Sequence, residues 1–210
     1  MDKFILHSSH ECPYSIRTRI VLELKKIPYE LIEERRGDWS DFLRNNLENP
    51  TVPVLLHEDK IIREANIINE YLEQIVAQPA LVPANYEDKE VMRLWWRWCD
   101  GLFKPAIDQF RYLDDNEFHL AGKVKLERLF NVLEQELIKY QNLVNATLSL
   151  ADIAVIPFVR QALLVQKDPL DITRYPRLQA WSNQILEADF FKQNVMRHHP
   201  FIKPKPTKRF

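Results

Sequence analysis

Apolar residues follow two regimes along this chain, and the change between them comes near residue 77. Before it, short β-type runs alternate with helical patterns. The spacing predicts strands over 3–7, 29–33, 54–57 and 60–62, and helices over 13–26, 40–47 and 64–76. That order is a βαβ unit followed by a ββα unit. Pro79, Pro83 and Asn85, with the polar Glu87 and Asp88, then interrupt both helix and sheet, so 78–88 reads as a connector. From Lys89 onward the alternation is gone and 3.6-residue periodicity runs to Glu187 or beyond. Two domains are expected: an α/β unit over 1–77 and an all-helical unit over 89–210, which ends in a basic, proline-rich tail.

Two helices of the second unit carry further detail. In the first, Met92, Trp96, Cys99 and Phe103 form one apolar row and Val91, Trp95, Trp98 and Leu102 a neighbouring one, while Arg93, Arg97, Asp100 and Lys104 share a polar strip. So wide an apolar arc implies partners on two sides, with one row on the helical core and the other on the first domain, a dimer partner or an acceptor pocket. In the second, Ser149 and Asp152 form a capping box, and Leu148 can pack on Ile153 as a staple. Pro157 falls inside that helix and removes the bond to the carbonyl of Ile153, which predicts a kink. In the tail, Phe201 and Ile202 are expected to dock on the helical domain and leave the basic end mobile.

Composition sets the class of molecule. With 46% hydrophobic residues, and 29 Lys and Arg against 30 Asp and Glu, the chain reads as a soluble globular protein of net charge −1, with no footprint for nucleic acid or a membrane surface. No signal-peptide core opens it and no stretch of about 18 apolar residues occurs, so a cytoplasmic location is expected. The two cysteines, Cys12 and Cys99, build no disulfide framework, no cluster has zinc-site spacing, and no metal is expected.

Cys12 is the chemical candidate. It precedes Pro13, which suits the first helical position, so the thiol sits where free N–H groups and the helix dipole favour an anion. A thiolate is the form that attacks electrophiles and disulfides; the other reading of Cys12 is a small buried hydrophobe. Ser15 replaces the second cysteine that a dithiol oxidoreductase needs, so any such chemistry is monothiol and an external thiol must regenerate Cys12. Pro53 opens the 54–57 strand, either as a cis X–Pro in a tight turn or as a trans proline at a strand edge. It leaves the N–H and C=O of Val52 free to pair with an extended, peptide-like ligand.

The order of these features resembles the glutathione transferase superfamily. Cys12-Pro13-Tyr14 after the first strand, Val52-Pro53-Val54-Leu55 before the third, Glu64-Ala65-Asn66-Ile67-Ile68 at the third helix and Ser149-Leu150-Ala151-Asp152-Ile153-Ala154 in the helical part together cover nearly the whole chain. The resemblance implies a thioredoxin-like α/β N-terminal domain and an all-α C-terminal domain. Cys12-Pro13-Tyr14 with Arg17 and Arg19 is similar to cysteine-type bacterial members and to the omega-like and two-domain glutaredoxin-like branches.

Carried onto this chain, the resemblance implies Cys12 as nucleophile and glutathione as co-substrate. Pro13 and Tyr14 would flank it, Val52 and Pro53 would hold its cysteinyl part, and Glu64 and Ala65 its γ-glutamyl end. Two departures stand out: Ala65 replaces the usual serine or threonine, and Trp39 stands where many relatives place a lysine, which Arg35 or Arg36 could replace. The implied activities are glutathione-dependent thiol transfer, reduction or deglutathionylation. The alternatives are conjugation of glutathione to apolar electrophiles, and a binding module like the stringent-starvation proteins. A homodimer and a small apolar or disulfide acceptor are the expected partners.

Overall fold

The computed structural model describes residues 3–112, 116–166 and 168–197; the tail, and the docking expected of Phe201 and Ile202, lies outside them. The first unit runs β1 (Phe4–Ser8), α1 (Pro13–Leu24), β2 (Tyr29–Glu33), α2 (Asp41–Asn46), β3 (Val54–His57), β4 (Lys60–Arg63) and α3 (Ala65–Ile75). Its strands stand in the order β2-β1-β3-β4. β1 pairs parallel with β2, which requires the crossover that α1 supplies, and the β1–β3 and β3–β4 pairs are antiparallel. Leu6 sits between Leu31 and Leu55 in this register, and all three are buried. The alternation read from the sequence is therefore the inward face of the sheet, and each expected element is present with its ends shifted by two residues at most.

The second unit is helical: α4 (Tyr86–Trp98), a wide π turn (Cys99–Phe103), α5 (Lys104–Tyr112), α6 (Asn116–Lys139), α7 (Leu150–Leu163) and α8 (Pro176–Leu186). The thioredoxin-like α/β domain followed by an all-helical domain is the fold expected from the motifs. α7 is buried at every position from Leu150 to Val159, so it is the core of the helical unit rather than a surface helix. Its capping box forms as expected: Asp152 accepts from the Ser149 N–H at 2.8 Å. Asp152 also accepts from the Leu143 N–H (2.8 Å) and the Trp181 indole (3.0 Å), which makes it an anchor for the loop before α7 and for α8. The helix runs on through Pro157 to Leu163. Gly122 is a position of close approach, because a Cβ there would stand 2.8 Å from the Phe110 backbone nitrogen, so α6 lies directly on α5.

The π turn corrects the strip drawn from ideal helical spacing. Residues after Trp98 are offset by the wider turn, and three of the four polar groups part company: Arg93 pairs with Glu70 of α3, Asp100 with Arg17 of α1, and Lys104 with Asp108 along α5. Of the two apolar rows, Met92, Trp96, Cys99 and Phe103 are buried as one set. In the other, Trp95 and Trp98 are half-buried, with the Trp95 indole donating to the Leu143 carbonyl at 2.9 Å, while Val91 and Leu102 are exposed.

One continuous apolar cluster joins the two units, from Phe4 and Leu6 through Ile16 and Ile20 to Phe158 and Val195. α1 lies in the middle of it, and every residue from Ser15 to Leu22 is buried, including two arginines. A buried guanidinium is costly unless its donors are met, and both are met across the seam. Arg17 donates to the Ala154 carbonyl (2.9 Å), to Asp100 (2.8 Å), to the Cys99 sulfur (3.3 Å) and to Asn66 (3.4 Å). Arg19 donates to Ser8 (2.7 Å), to Glu33 (2.7 Å) and to the carbonyls of Val195 and Arg197 (3.1 and 2.7 Å). Lys25, at the far end of α1, clamps the start of the connector through the carbonyls of Val76 and Pro79.

Two outcomes follow. Arg17→Met should lower the unfolding free energy by about 2–3 kcal/mol, short of the cost of breaking a fully buried pair because Asp100 keeps contact with water. Urea denaturation measures it, and a loss under about 0.5 kcal/mol, the level of an ordinary surface change, would remove the interdomain role. Burial raises the Glu33 carboxyl, but the Arg19 charge and hydrogen bonds from His10 and Arg19 outweigh it and leave the group below its ordinary value. A carboxylate depressed in the folded state contributes stability that is complete above its unfolded value and lost as pH falls through the folded one. Glu33→Gln should therefore flatten the loss of stability below the ordinary carboxylate value of 4.5, as read from urea midpoints along a pH series.

Candidate active site

Cys12 is the residue just before α1, with an extended backbone (φ −87°, ψ 116°), and its carbonyl accepts the Ile16 N–H at 3.0 Å. Its side chain caps nothing. The half-buried thiol points to the Val52 carbonyl, with Sγ 3.8 Å from the oxygen. The loop that carries it is closed on both sides. Cys12 donates its N–H to the Ser9 carbonyl (3.1 Å), Ser15 accepts the Ser9 N–H (3.2 Å), and Glu33 accepts from the His10 N–H at 2.7 Å, with the His10 ring nitrogen Nδ1 at the same distance. Ser15, which takes the place of a resolving cysteine, is thus a loop brace.

The Val52–Pro53 bond is cis, the tight-turn option of the two that the residues allow. Val52 packs with Trp39, Phe42 and Leu56 around Leu43, Leu47 and Val54. Trp39 therefore belongs to the apolar cluster behind the Val52 turn rather than offering a polar group. Arg35 and Arg36 are exposed on the loop before it, where Arg35 pairs with Asp38 about a turn at Gly37. Buried Glu34 holds this loop from beneath, with an oxygen 2.7 Å from the His7 ring and another accepting the Ser40 N–H at 2.8 Å.

Glu64 is exposed and has a positive φ of 70°, a backbone state uncommon outside glycine and frequent at ligand clamps. Its carbonyl begins α3 by accepting the Ile68 N–H at 2.9 Å, its side chain caps nothing, and Ala65 beside it is buried. Asn66 is held by Arg17, so the start of α3 is tied to the helix that begins at Cys12.

Tyr14 turns the other way. Its ring meets Phe158 of α7 edge-on at 5.1 Å with the Arg17 guanidinium 4.8 Å above it, in the seam between domains. Burial, with the nearby charge of Asp100, pushes its phenol up to about 12, so it stays protonated at neutral pH. Cys99 is buried and its thiol is likewise pushed up to about 12 by burial. Held by Arg17 and donating to the Ala154 carbonyl at 3.5 Å, it has a structural place far from any exchange chemistry.

The structure thus brings Cys12, Val52 and Pro53 together and links the Glu64–Ala65 turn to them through Arg17. Sequence reasoning used Arg17 and Arg19 only as motif matches and missed them as the frame of the site. A signal was present: two arginines lie in the otherwise apolar run from Ile16 to Leu22, where a charge must find partners elsewhere in the chain. Among the described residues no group of histidines, cysteines and carboxylates could hold a metal ion.

The family models agree with this geometry. That for the glutathione S-transferase N-terminal domain matches residues 6–80, and that for the C-terminal domain matches residues 105–184. Glutathione S-transferase U8 of Arabidopsis thaliana is 30% identical over 189 residues, which are 86% of this chain and 84% of that protein. The chain belongs to the glutathione S-transferase family. The chain spans 42% and 57% of the length of the curated relatives it matches first. Among solved structures, the Tau-class glutathione S-transferase of mango, Mangifera indica, is 25% identical with a TM-score of 0.82 over 93% of both chains. A rice glutathione S-transferase solved in complex with glutathione is 23% identical with a TM-score of 0.81 over 91% of both. These relatives are plant proteins, whereas the Cys-Pro-Tyr motif suggested bacterial cysteine-type members, a resemblance that they do not confirm.

Iodoacetamide should alkylate the native protein once, at Cys12, and reach Cys99 only after denaturation, as read by peptide mass spectrometry. Labelling of Cys99 in the native state would contradict the buried network around Arg17.

Proposed function

We propose that this protein is a glutathione-dependent thiol transferase of the monothiol type. The observation that carries the reading is the half-buried Cys12 at the N-terminal end of α1, where the helix dipole favours an anion, with its sulfur 3.8 Å from the carbonyl oxygen of the Val52 turn. The chemistry is exchange. The Cys12 thiolate attacks the glutathionyl sulfur of a mixed disulfide, a Cys12–glutathione disulfide forms, and the other thiol leaves as its thiolate. A second glutathione thiolate then attacks the glutathionyl sulfur on Cys12, releasing glutathione disulfide and restoring the Cys12 thiolate. No second protein cysteine takes part, since Cys99 is sequestered.

In this reading glutathione lies along the Val52–Pro53 turn, whose backbone pairs with its cysteinyl part, and Pro13 flanks the sulfur, while the Tyr14 ring, expected beside it, is held in the seam between domains. Its γ-glutamyl end meets Glu64, which is free to receive the ammonium, and the Ala65 N–H, which receives the carboxylate. The acceptor enters from the helical domain, and a homodimer is the expected assembly. Conjugation is the second reading. It is favoured by the likeness to a Tau-class structure, and in it glutathione's own thiolate attacks an apolar electrophile while Cys12 only supports it.

Incubation of native protein with glutathione disulfide should add one glutathionyl group, located on Cys12 by mass spectrometry. Cys12→Ser should abolish thiol transfer; retention of the native protein on a glutathione resin with no adduct on Cys12 would favour conjugation. Ala65→Ser restores a hydroxyl to the γ-glutamyl carboxylate and should tighten glutathione about ten-fold, the effect of one hydrogen bond to a charged group. Calorimetry checks it, and unchanged affinity would place the carboxylate elsewhere.

A further inference from the structure

The end of α1 farthest from Cys12 borders a cleft of about 410 Å³. Buried Leu22 and Ile27, with Pro28 and the half-buried Tyr29, give it an apolar wall. Two cations line the same cleft. Arg197 is half-buried, its guanidinium lies 5.0 Å from the centre of the Tyr29 ring, and its Nε is enclosed without a hydrogen-bond acceptor. Lys26 is exposed and has a positive φ of 53°, a backbone state that glycine adopts at less cost. No carboxylate pairs with either side chain among the described residues. Glu23 also lines the cleft, but its two oxygens are taken, one by the Tyr29 hydroxyl at 3.2 Å and the other by the Asn194 amide at 3.0 Å. One positive charge is left over.

Arg197 is set in place by its surroundings. Arg19 donates to its carbonyl at 2.7 Å and to that of Val195 at 3.1 Å, and Asn194 ties the same segment to α1 through Glu23. The guanidinium thus leaves a pinned backbone and rests on a ring, which holds its donors ready for a partner. A buried donor without an acceptor is costly, and native structures tolerate one where water or a bound group completes it. A carboxylate matches the planar fork of an arginine, and a cleft of this volume with an apolar wall suits a body of one or two rings. Residues 198–210 contain no Asp or Glu, so the continuation of the chain brings no carboxylate side chain to the cation pair.

We propose that this cleft is a binding site for a small aromatic carboxylate, held by Arg197 and Lys26 with its rings against Tyr29, Ile27 and Pro28. The site is separate from the thiol. Cys12 stands just before α1 and the cleft lies at its other end, and twelve helical residues at 1.5 Å each put about 18 Å between them. The molecule therefore binds without meeting Cys12, and the inference is independent of the glutathione reaction proposed above.

Calorimetry on the full-length protein tests it by comparing 2-naphthoate with 2-naphthamide, which keeps the rings and lacks the charge, each with and without saturating S-hexylglutathione. The acid should bind at least about ten-fold tighter than the amide, the effect of hydrogen bonds to a charged group, and equally well beside the glutathione conjugate. Arg197→Gln should remove most of that gain. Lys26→Gly deletes the second charge and suits the backbone there, so it should weaken the acid about three-fold without lowering the melting temperature. Failure of the acid to bind, equal affinity for acid and amide, affinity indifferent to both substitutions, or displacement by S-hexylglutathione would each overturn the site.

Discussion

A guanidinium buried in the seam between two domains has to be satisfied from several directions, and Arg17 is satisfied from four. Its partners come from the start of α3, from two adjacent residues of the π turn and from a carbonyl of α7. Left unmet, any of these donors would cost more than an ordinary contact yields, so the three segments have little freedom relative to α1. The rings of Tyr14 and Phe158, edge-on to each other at 5.1 Å, each lie 4.8 Å from the same group, which is almost wholly buried. The π turn belongs to this arrangement. It lets the consecutive residues Cys99 and Asp100 meet the same arginine nitrogen, consistent with such turns occurring where a helix must serve a particular contact.

Arg19 makes the complementary tie on the other side of α1. It joins β1, β2 and the segment that ends at Arg197, and Glu33 shares its charge with the loop that holds Cys12. The thiol is therefore placed by two braces: Glu33 fixes the loop before it and Arg17 fixes the helix after it. A reactive group held by side chains that are themselves pinned keeps its geometry without contributing to the pinning. The Cys12 side chain caps no helix and takes part in neither network, which leaves it free for chemistry.

The same economy separates the two cysteines. Both lie within the reach of α1, yet one faces a turn whose backbone is open and the other is enclosed with an arginine whose donors are already committed. Residue type alone said nothing about this difference. The fold also parts charged residues of the helix after the connector: Arg93 pairs with Glu70 of α3, and Asp100 with Arg17 of α1.

Local physics made much of the chain legible in its sequence. Alternation and helical spacing located the four strands and the helices of the α/β unit, Pro13 marked the start of α1, and Ser149 with Asp152 marked the start of α7, because each of these signals acts within a few residues. Motif order was enough to reach the family. Tertiary structure decided the rest: the partners of Arg17 and Arg19 lie up to 178 residues away, and no short-range pattern encodes such a pairing. The turning of Tyr14 into the seam, the packing of Trp39 behind Val52 and the π turn that breaks the polar strip are consequences of those distant contacts. The sequence by itself determined where the chain coils, pleats and offers a thiol; only the folded molecule decided which charges are buried together, because burying a charge is a bargain struck among segments that meet nowhere but in space.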